Sequence, residues 1–152
     1  MKQFGFSLIE VLIVGAILVI ILKIVFNPFT AFRNQQALKG AVEEVLSTLQ
    51  QARGQTIAST GDSQYGVHLA GTQVVLFTGS VYNAGSATNY VTTLSSLVNL
   101  GNISLAGGGS DIIFQRLTGA TSQTGSLVIS LKSDASQTKT ISINSNGVSD
   151  VN

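Results

Sequence analysis

An apolar segment near the start of the chain limits what this protein can fold into. Across residues 6–26 only Glu10 and Lys23 carry a charge. A helix of this length rises about 30 Å, which matches the hydrocarbon core of a bilayer. The segment therefore predicts a membrane-spanning helix, and Lys2 places its N-terminus on the cytoplasmic side. Lys23 lies near the far end, where its ammonium can reach the headgroup region.

The segment does not have the form of an ordinary secretory signal. No small-residue cleavage site of the A-x-A kind follows the apolar run, which leads directly into Asn27 and Pro28. Glu10 is unusual in such a run, because a carboxylate inside a bilayer costs about 2.5–3.5 kcal/mol on insertion scales. A solvated position of Glu10 near the interface does not account for the apolar run that follows it or for the glycine before Phe6.

The junction GFSLIE, residues 5–10, followed by an apolar helix, resembles the class III signal of type IV prepilins and type II secretion pseudopilins. The resemblance implies that a membrane prepilin peptidase cuts between Gly5 and Phe6 and that Phe6 is then N-methylated. Residues 1–5 would be the leader, residues 6–28 the transmembrane and filament-core helix, and residues 29–152 the extracytoplasmic domain. Pro28 resembles the helix-bending proline of many pilins, and proline kinks a helix because it lacks a backbone donor.

Glu10 then acquires a role in assembly. Cleavage would leave Phe6 with an ammonium group, and burying it among neighbouring helices is unfavourable unless it is paired. The Glu10 carboxylate of an adjacent subunit could pair with it, which would select one axial register between subunits. A pair within one subunit is also open, because residues four apart share a helix face.

The rest of the chain predicts a helix followed by antiparallel strands, which is an α+β domain. Apolar residues recur every three or four positions from Ala37 to Ile57, apart from one longer gap, and Gly61 marks the end of the helix. Strands are predicted at residues 65–69, 72–77, 102–106, 111–116, 126–132, 138–144 and 148–151. Residues 78–100 are predicted as a loop with one strand or helical turn, Ala70-Gly71 as a hairpin turn, and Asn146-Gly147 as a turn.

The body resembles the pseudopilins and minor pilins of the GspH type, which have a long helix and two small antiparallel sheets. The matching residues are Leu46, Leu49, Ala52 and Arg53, then Tyr65-Gly66-Val67, Ile113-Phe114, Gly119, Ile141-Ser142-Ile143 and Gly147-Val148. The resemblance implies a filament of like or mixed pilin subunits, assembled by an inner-membrane platform and exposed in the periplasm or at the cell surface. Major pilin, minor pilin and pseudopilin stay open.

Composition argues against other classes of function. The chain is 10% charged, against roughly 25% in ordinary domains, and has 16 glycines and no cysteine. His68 is the only histidine and is interpreted as a half-exposed strand residue; no nucleophile motif or metal-ligand spacing is present, so we expect no enzyme, cofactor or metal. Asp62, Asp111, Asp134 and Asp150 are interpreted as scattered and solvated.

Two alternatives remain beside the filament subunit. A DNA-receptor minor pilin needs a basic patch, but without Lys2 the basic and acidic residues balance at seven each. Only a spatial cluster of Arg116, Lys132 and Lys139 would supply one. A single-pass anchored extracytoplasmic β domain explains the apolar span, but not the Gly5-Phe6 junction or the position of Glu10.

Overall fold

A long helix and two small sheets make up the protein. The computed structural model describes the backbone of residues 7–152 and the side chains of residues 7–24 and 29–152. Helix α1 spans Leu8–Ile57. The chain divides into two units, Met1–Gln35 and Gln36–Asn152, and all eight strands of the described residues belong to the second. This α+β architecture confirms the predicted fold class.

Within the unit Gln36–Asn152, α1 buries one face. The buried positions recur every three or four residues, which is the period of a helix lying on a core; they are Leu38, Ala41, Val42, Val45, Leu49 and Ala52. The predicted apolar face is therefore confirmed at its centre, whereas Ala37 is only partly buried and Ile57 is 38% exposed.

The strands form two four-stranded antiparallel sheets. Sheet 1 has the order β3-β2-β1-β5 and sheet 2 the order β4-β6-β7-β8. Their bounds are β1 Tyr65–Ala70, β2 Gln73–Thr78, β3 Tyr90–Thr93, β4 Val98–Leu105, β5 Asp111–Ile113, β6 Gly125–Leu131, β7 Thr138–Ile143 and β8 Ser149–Val151. A 3₁₀ turn at Thr60–Asp62 follows the helix.

Most predicted strands are present, with shifted ends. The β1–β2 hairpin turns at Gly71-Thr72, because Ala70 pairs with Gln73, and not at the predicted Ala70-Gly71. The predicted loop contains one complete strand, β3, and the first residues of β4. Strand β5 ends at Ile113, before the predicted residue 116, because the amide of Gln115 turns to the carbonyl of Ala120 and Leu117 adopts φ 66°.

Strand β4 begins four residues before its predicted start at Asn102. Val98 and Leu100 are buried and alternate with the exposed Asn99, but Leu105 is the next buried residue. The register with β6 shifts between Gly101 and Ser104. A bulge of this kind adds a residue to one strand and reverses the phase of its alternation. The period of two is therefore interrupted within β4, and the sequence pattern reveals only the second half of the strand.

One buried hydroxyl connects the end of α1 to the start of β1 in sheet 1. Thr56 is fully buried; its Oγ1 donates to the carbonyl of Ala52 at 2.7 Å and accepts from the amide of Tyr65 at 2.9 Å. A buried polar group is tolerated when such partners satisfy it. Thr56 thereby fixes where β1 starts relative to the last turn of the helix.

We predict that Gly147→Ala strongly destabilises the protein. Gly147 lies at φ +72°, where L-residues are strained, and a Cβ there would lie 2.0 Å from the carbonyl oxygen of Gly119. Strain and overpacking each cost about 1–3 kcal/mol. Urea unfolding in detergent micelles, followed by circular dichroism, measures the loss.

The matched control is Gly54→Ala on the exposed side of α1, where a Cβ meets nothing within 4 Å. We expect this variant to gain up to about 1 kcal/mol, because alanine favours helix over glycine. If Gly147→Ala were as stable as the unmodified chain, the left-handed turn conformation assigned to Gly147 would be contradicted.

Candidate functional site

The apolar start of α1 is an exposed surface in the single chain. The large side chains that the structure describes between Leu8 and Ile24 are 45–81% exposed, and none of them is buried. The helix is long and apolar enough to cross a membrane by length and composition, and it fits a membrane anchor. Its apolar residues cover the whole circumference rather than one stripe, which is typical of a helix with apolar surroundings on all sides.

Glu10 lies in the first turn of this helix, beside a capping serine. Ser7 precedes the helix, and its Oγ accepts the amide of Ile9 at 3.3 Å while its carbonyl accepts the amide of Glu10 at 3.0 Å. A helix start favours both a serine cap and an acidic side chain nearby. The carboxylate of Glu10 has no hydrogen-bond or ion-pair partner among the described residues, so it is available to a group outside this set.

The sequence carries a signal for the capping role of Ser7, beside its place in the GFSLIE junction. Ser7-Leu8-Ile9-Glu10 has the S-x-x-E spacing of a capping box, in which the serine and the acid each satisfy free amides at a helix start. Only the serine half of this box is formed among the described residues, because the carboxylate of Glu10 accepts no hydrogen bond there.

The other predicted processing and bending residues are not tested by the structure. Gly5 and Phe6 lie outside the described residues, so cleavage and N-methylation stay predictions. Helix α1 continues through position 28 without interruption, and the side chain of Pro28 lies outside the described set. The bend at Pro28 and the boundaries at residues 5/6 and 28/29 likewise stay predictions. Lys23 is exposed, in keeping with a position where it can snorkel.

His68 belongs to a small cluster on sheet 1. Its Nδ1 lies 2.6 Å from Oδ1 of Asp111, directly across the β1–β5 pair, and its ring stacks on Tyr82 with centroids 3.9 Å apart. Tyr82 also contacts Phe77, at a centroid distance of 5.6 Å. Phe77 is buried, although the core beneath α1 does not include it. The cluster therefore attaches the loop after β2 to the sheet.

This cluster corrects the interpretation of one of the four aspartates, Asp111. His68 is half-buried on a strand as predicted, but Asp111 is not simply solvated, because it pairs with His68. Asp62 pairs with Arg116, which also donates to Ser59 Oγ. The hydroxyl and the amide of Ser136 donate hydrogen bonds to the carboxylate of Asp134, and these bonds lower the pKa of Asp134. They lie within the turn that contains both residues.

The described residues contain no group of three or more His, Cys, Asp or Glu side chains that could hold a metal ion. Arg116 binds Ser59 and Asp62, which follow the end of α1, so its charge is already compensated. A DNA receptor would need a basic cluster of Arg116, Lys132 and Lys139. Of these three residues, Arg116 is not free to bind a phosphate.

Comparison with known proteins supports the resemblance. The sequence family described as type II transport protein GspH matches residues 41–147. Two crystal forms of the type IV minor pilin FimU from Pseudomonas aeruginosa share the fold. In space group P65 the TM-score is 0.56 at 15% identity, covering 76% of this chain and 92% of that one. In space group P21 the TM-score is 0.58 at 14% identity, covering 80% and 92%.

No curated protein matches the chain. The likeness to FimU shows the fold, and the family match covers most of the described body, from the amphipathic half of α1 to the turn before β8. The chain therefore belongs to the GspH family, within the type IV pilin and type II pseudopilin superfamily, whose members are structural subunits and not enzymes.

Proposed function

We propose that this chain is synthesised as a prepilin, held in the cytoplasmic membrane by α1, cut between Gly5 and Phe6 by a prepilin peptidase, and polymerised through α1 by an inner-membrane platform. The observation that carries the proposal is the contrast between the two parts of α1. Its second part buries an apolar face inside the body, whereas the described side chains from Leu8 to Ile24 are exposed all round.

Such a surface needs apolar surroundings. Withdrawing a large aliphatic side chain from water contributes about 1.5–3 kcal/mol, and this surface presents a continuous series of them. Lipid can supply those surroundings before assembly, and the same helices of neighbouring subunits can supply them afterwards. An anchored protein needs only the first of these environments.

Glu10 favours the second environment. In lipid its carboxylate is unfavourable, but in a helix bundle it can meet the ammonium of a mature Phe6 from another subunit. The exposed position of Glu10 and the lack of a partner among the described residues support such a contact. Adhesion, motility, secretion and DNA uptake are all compatible with this architecture.

The first test is the N-terminus of the protein from its native cells. With the peptidase present we expect an intact mass and an N-terminal sequence that correspond to a chain beginning at methylated Phe6. Gly5→Leu should block cleavage, because a side chain next to the scissile bond obstructs an extended backbone in a protease cleft. Gly15→Ala is the matched control and should be cut normally, since a Cβ at Gly15 meets nothing within 4 Å.

A chain that keeps residues 1–5 in the presence of the peptidase, or one that is cut elsewhere, would contradict the prepilin assignment. The anchored extracytoplasmic domain would then be the better description.

The second test separates insertion from assembly. Glu10→Ala should still enter the membrane, because the substitution removes an unfavourable carboxylate from the apolar span. Its incorporation into filaments should fall at least about tenfold, because a buried unpaired ammonium costs more than the 1.4 kcal/mol that corresponds to that factor. The readout is the ratio of sheared filament to membrane-bound subunit on immunoblots.

Asp150→Ala removes a carboxylate from the exposed part of β8 and serves as the control. It should assemble like the unmodified chain. Normal filament yield from Glu10→Ala would rule out the register role of this residue.

A further inference from the structure

Two exposed aromatic side chains follow the apolar span of α1. Phe29 and Phe32 are 64% and 62% exposed, and among the described residues of the helix beyond Ile24 the only other exposed large apolar side chain is Ile57. Polar residues follow them directly, since residues 33–36 are one arginine and three amides. Residues three apart share a face of a helix, so the two rings form one apolar patch on a polar segment.

The position of these rings along the helix matches the headgroup layer of a bilayer. Helix α1 is continuous over Leu8–Ile57, so its rise gives the relative depth of each residue. With the apolar run 6–26 in the hydrocarbon core, Phe29 and Phe32 lie about 4.5 and 9 Å beyond its edge. The headgroup layer on each side of a bilayer is about 5–8 Å thick. Helical side chains point back toward the N-terminus, which brings both rings into that layer.

The charges near these rings have one sign. Across residues 11–42 the charged residues are Lys23, Arg33 and Lys39, and none is acidic. Arg33 is exposed, has no hydrogen bond or ion pair among the described residues, and shares a helix face with Phe29 four positions before it. A guanidinium group binds phosphate through two parallel N–H donors, and a basic residue beside a membrane attracts anionic lipid. The charge is therefore complementary to phospholipid headgroups.

The pattern of residues 29–36 favours lipid over a second copy of the chain. From Leu8 to Ile24 large apolar side chains lie on all sides of the helix, which suits a helix bundle as well as lipid. In residues 29–36 the large apolar side chains are confined to one face, and Asn34 lies on the opposite face. A helical segment with Phe on one face and polar or basic residues around it is typical of a membrane interface.

We propose that Phe29, Phe32 and Arg33 bind the headgroup layer of an anionic phospholipid bilayer on its extracytoplasmic side, with the guanidinium group of Arg33 on a lipid phosphate. This inference rests on the part of the proposed function that places α1 across the membrane, and not on cleavage or polymerisation. Because α1 is continuous, a fixed outer end also sets the depth of Glu10, which lies about 28 Å nearer the cytoplasm than Phe29.

A single tryptophan measures the depth of this segment, since the chain has none of its own. Full-length chain carrying Phe32→Trp would be reconstituted into phosphatidylcholine–phosphatidylglycerol vesicles whose lipids carry bromine either near the headgroup or near the bilayer centre. We expect bromine near the headgroup to quench the tryptophan emission several-fold more strongly than bromine at the centre, because aromatic side chains at an interface lie at headgroup level. Gln50→Trp, exposed on the body part of α1, is the matched control and should not be quenched.

Arg33 has its own readout in the same vesicles. Brominated phosphatidylglycerol should quench Phe32→Trp more than brominated phosphatidylcholine at the same fraction, since one basic residue enriches anionic lipid about fivefold beside it. Arg33→Gln should remove most of this preference, whereas Lys132→Gln, an exposed position in the body, should leave it unchanged. The same preference with and without Arg33 would show that this residue does not bind the lipid phosphate.

Three results would overturn this inference and leave the proposed function intact. In vesicles, Phe32→Trp could be quenched no more than Gln50→Trp, or more strongly from the bilayer centre than from the headgroup level. It could also be shielded from water only in sheared filaments, where a second copy would be the occupant. A chain that is released from membranes by washing without detergent would overturn the proposed function and this inference together.

Discussion

The body of this protein depends on the burial of one face of α1. Val45, Leu49 and Ala52 are almost completely withdrawn from water and share one core with residues of both sheets. The chain has no cysteine, so no disulfide can support the fold, and the described residues offer no metal cluster that could. Apolar contact with the helix must therefore hold the two small sheets together, because each four-stranded sheet needs a cover for its apolar face.

The first part of α1, from Leu8 to Ile24, needs apolar surroundings from outside the chain, since it has no core of its own to lie on. In the body, polar residues such as Glu43 and Gln50 alternate with the buried positions, so the helix presents one face to the core and another to water. From Leu8 to Ile24 this alternation is absent, and the described side chains are exposed. A surface of that kind is stable only in lipid or among other apolar helices. One secondary-structure element thus carries both the fold of the subunit and the surface through which a filament subunit would assemble.

Local patterns predicted most of the fold, and they failed where tertiary contacts decide. The helical period from Ala37 to Ala52 and the alternation of Leu127, Ile129 and Leu131 are properties of single elements, and both are confirmed. The predicted start of β4 was wrong because a bulge between Gly101 and Ser104 reverses the alternation of buried and exposed residues inside the strand. The pairing of Asp111 with His68 could not be predicted, since it requires β5 to lie beside β1 across 43 positions of sequence. Gly5, Phe6 and Glu10 form a local motif that predicts the candidate site, whereas the capping role of Ser7 depends on where the helix begins.

The position of Glu10 in the first turn has a consequence for how it would act in a filament. The helix start carries partial positive charge from its free amides, and a mature Phe6 would add an ammonium one turn away. Both groups belong to the same chain as Glu10, and attraction to them stabilises the helix start without regard to neighbours. A role of Glu10 in setting the axial register between subunits has a further requirement. The ammonium of the neighbouring subunit must not be fully paired with a carboxylate of its own chain. The two roles are compatible if the ammonium, which keeps two N–H donors after methylation, binds its own Glu10 and the Glu10 of an adjacent copy together, because neither carboxylate is then buried with an unpaired charge.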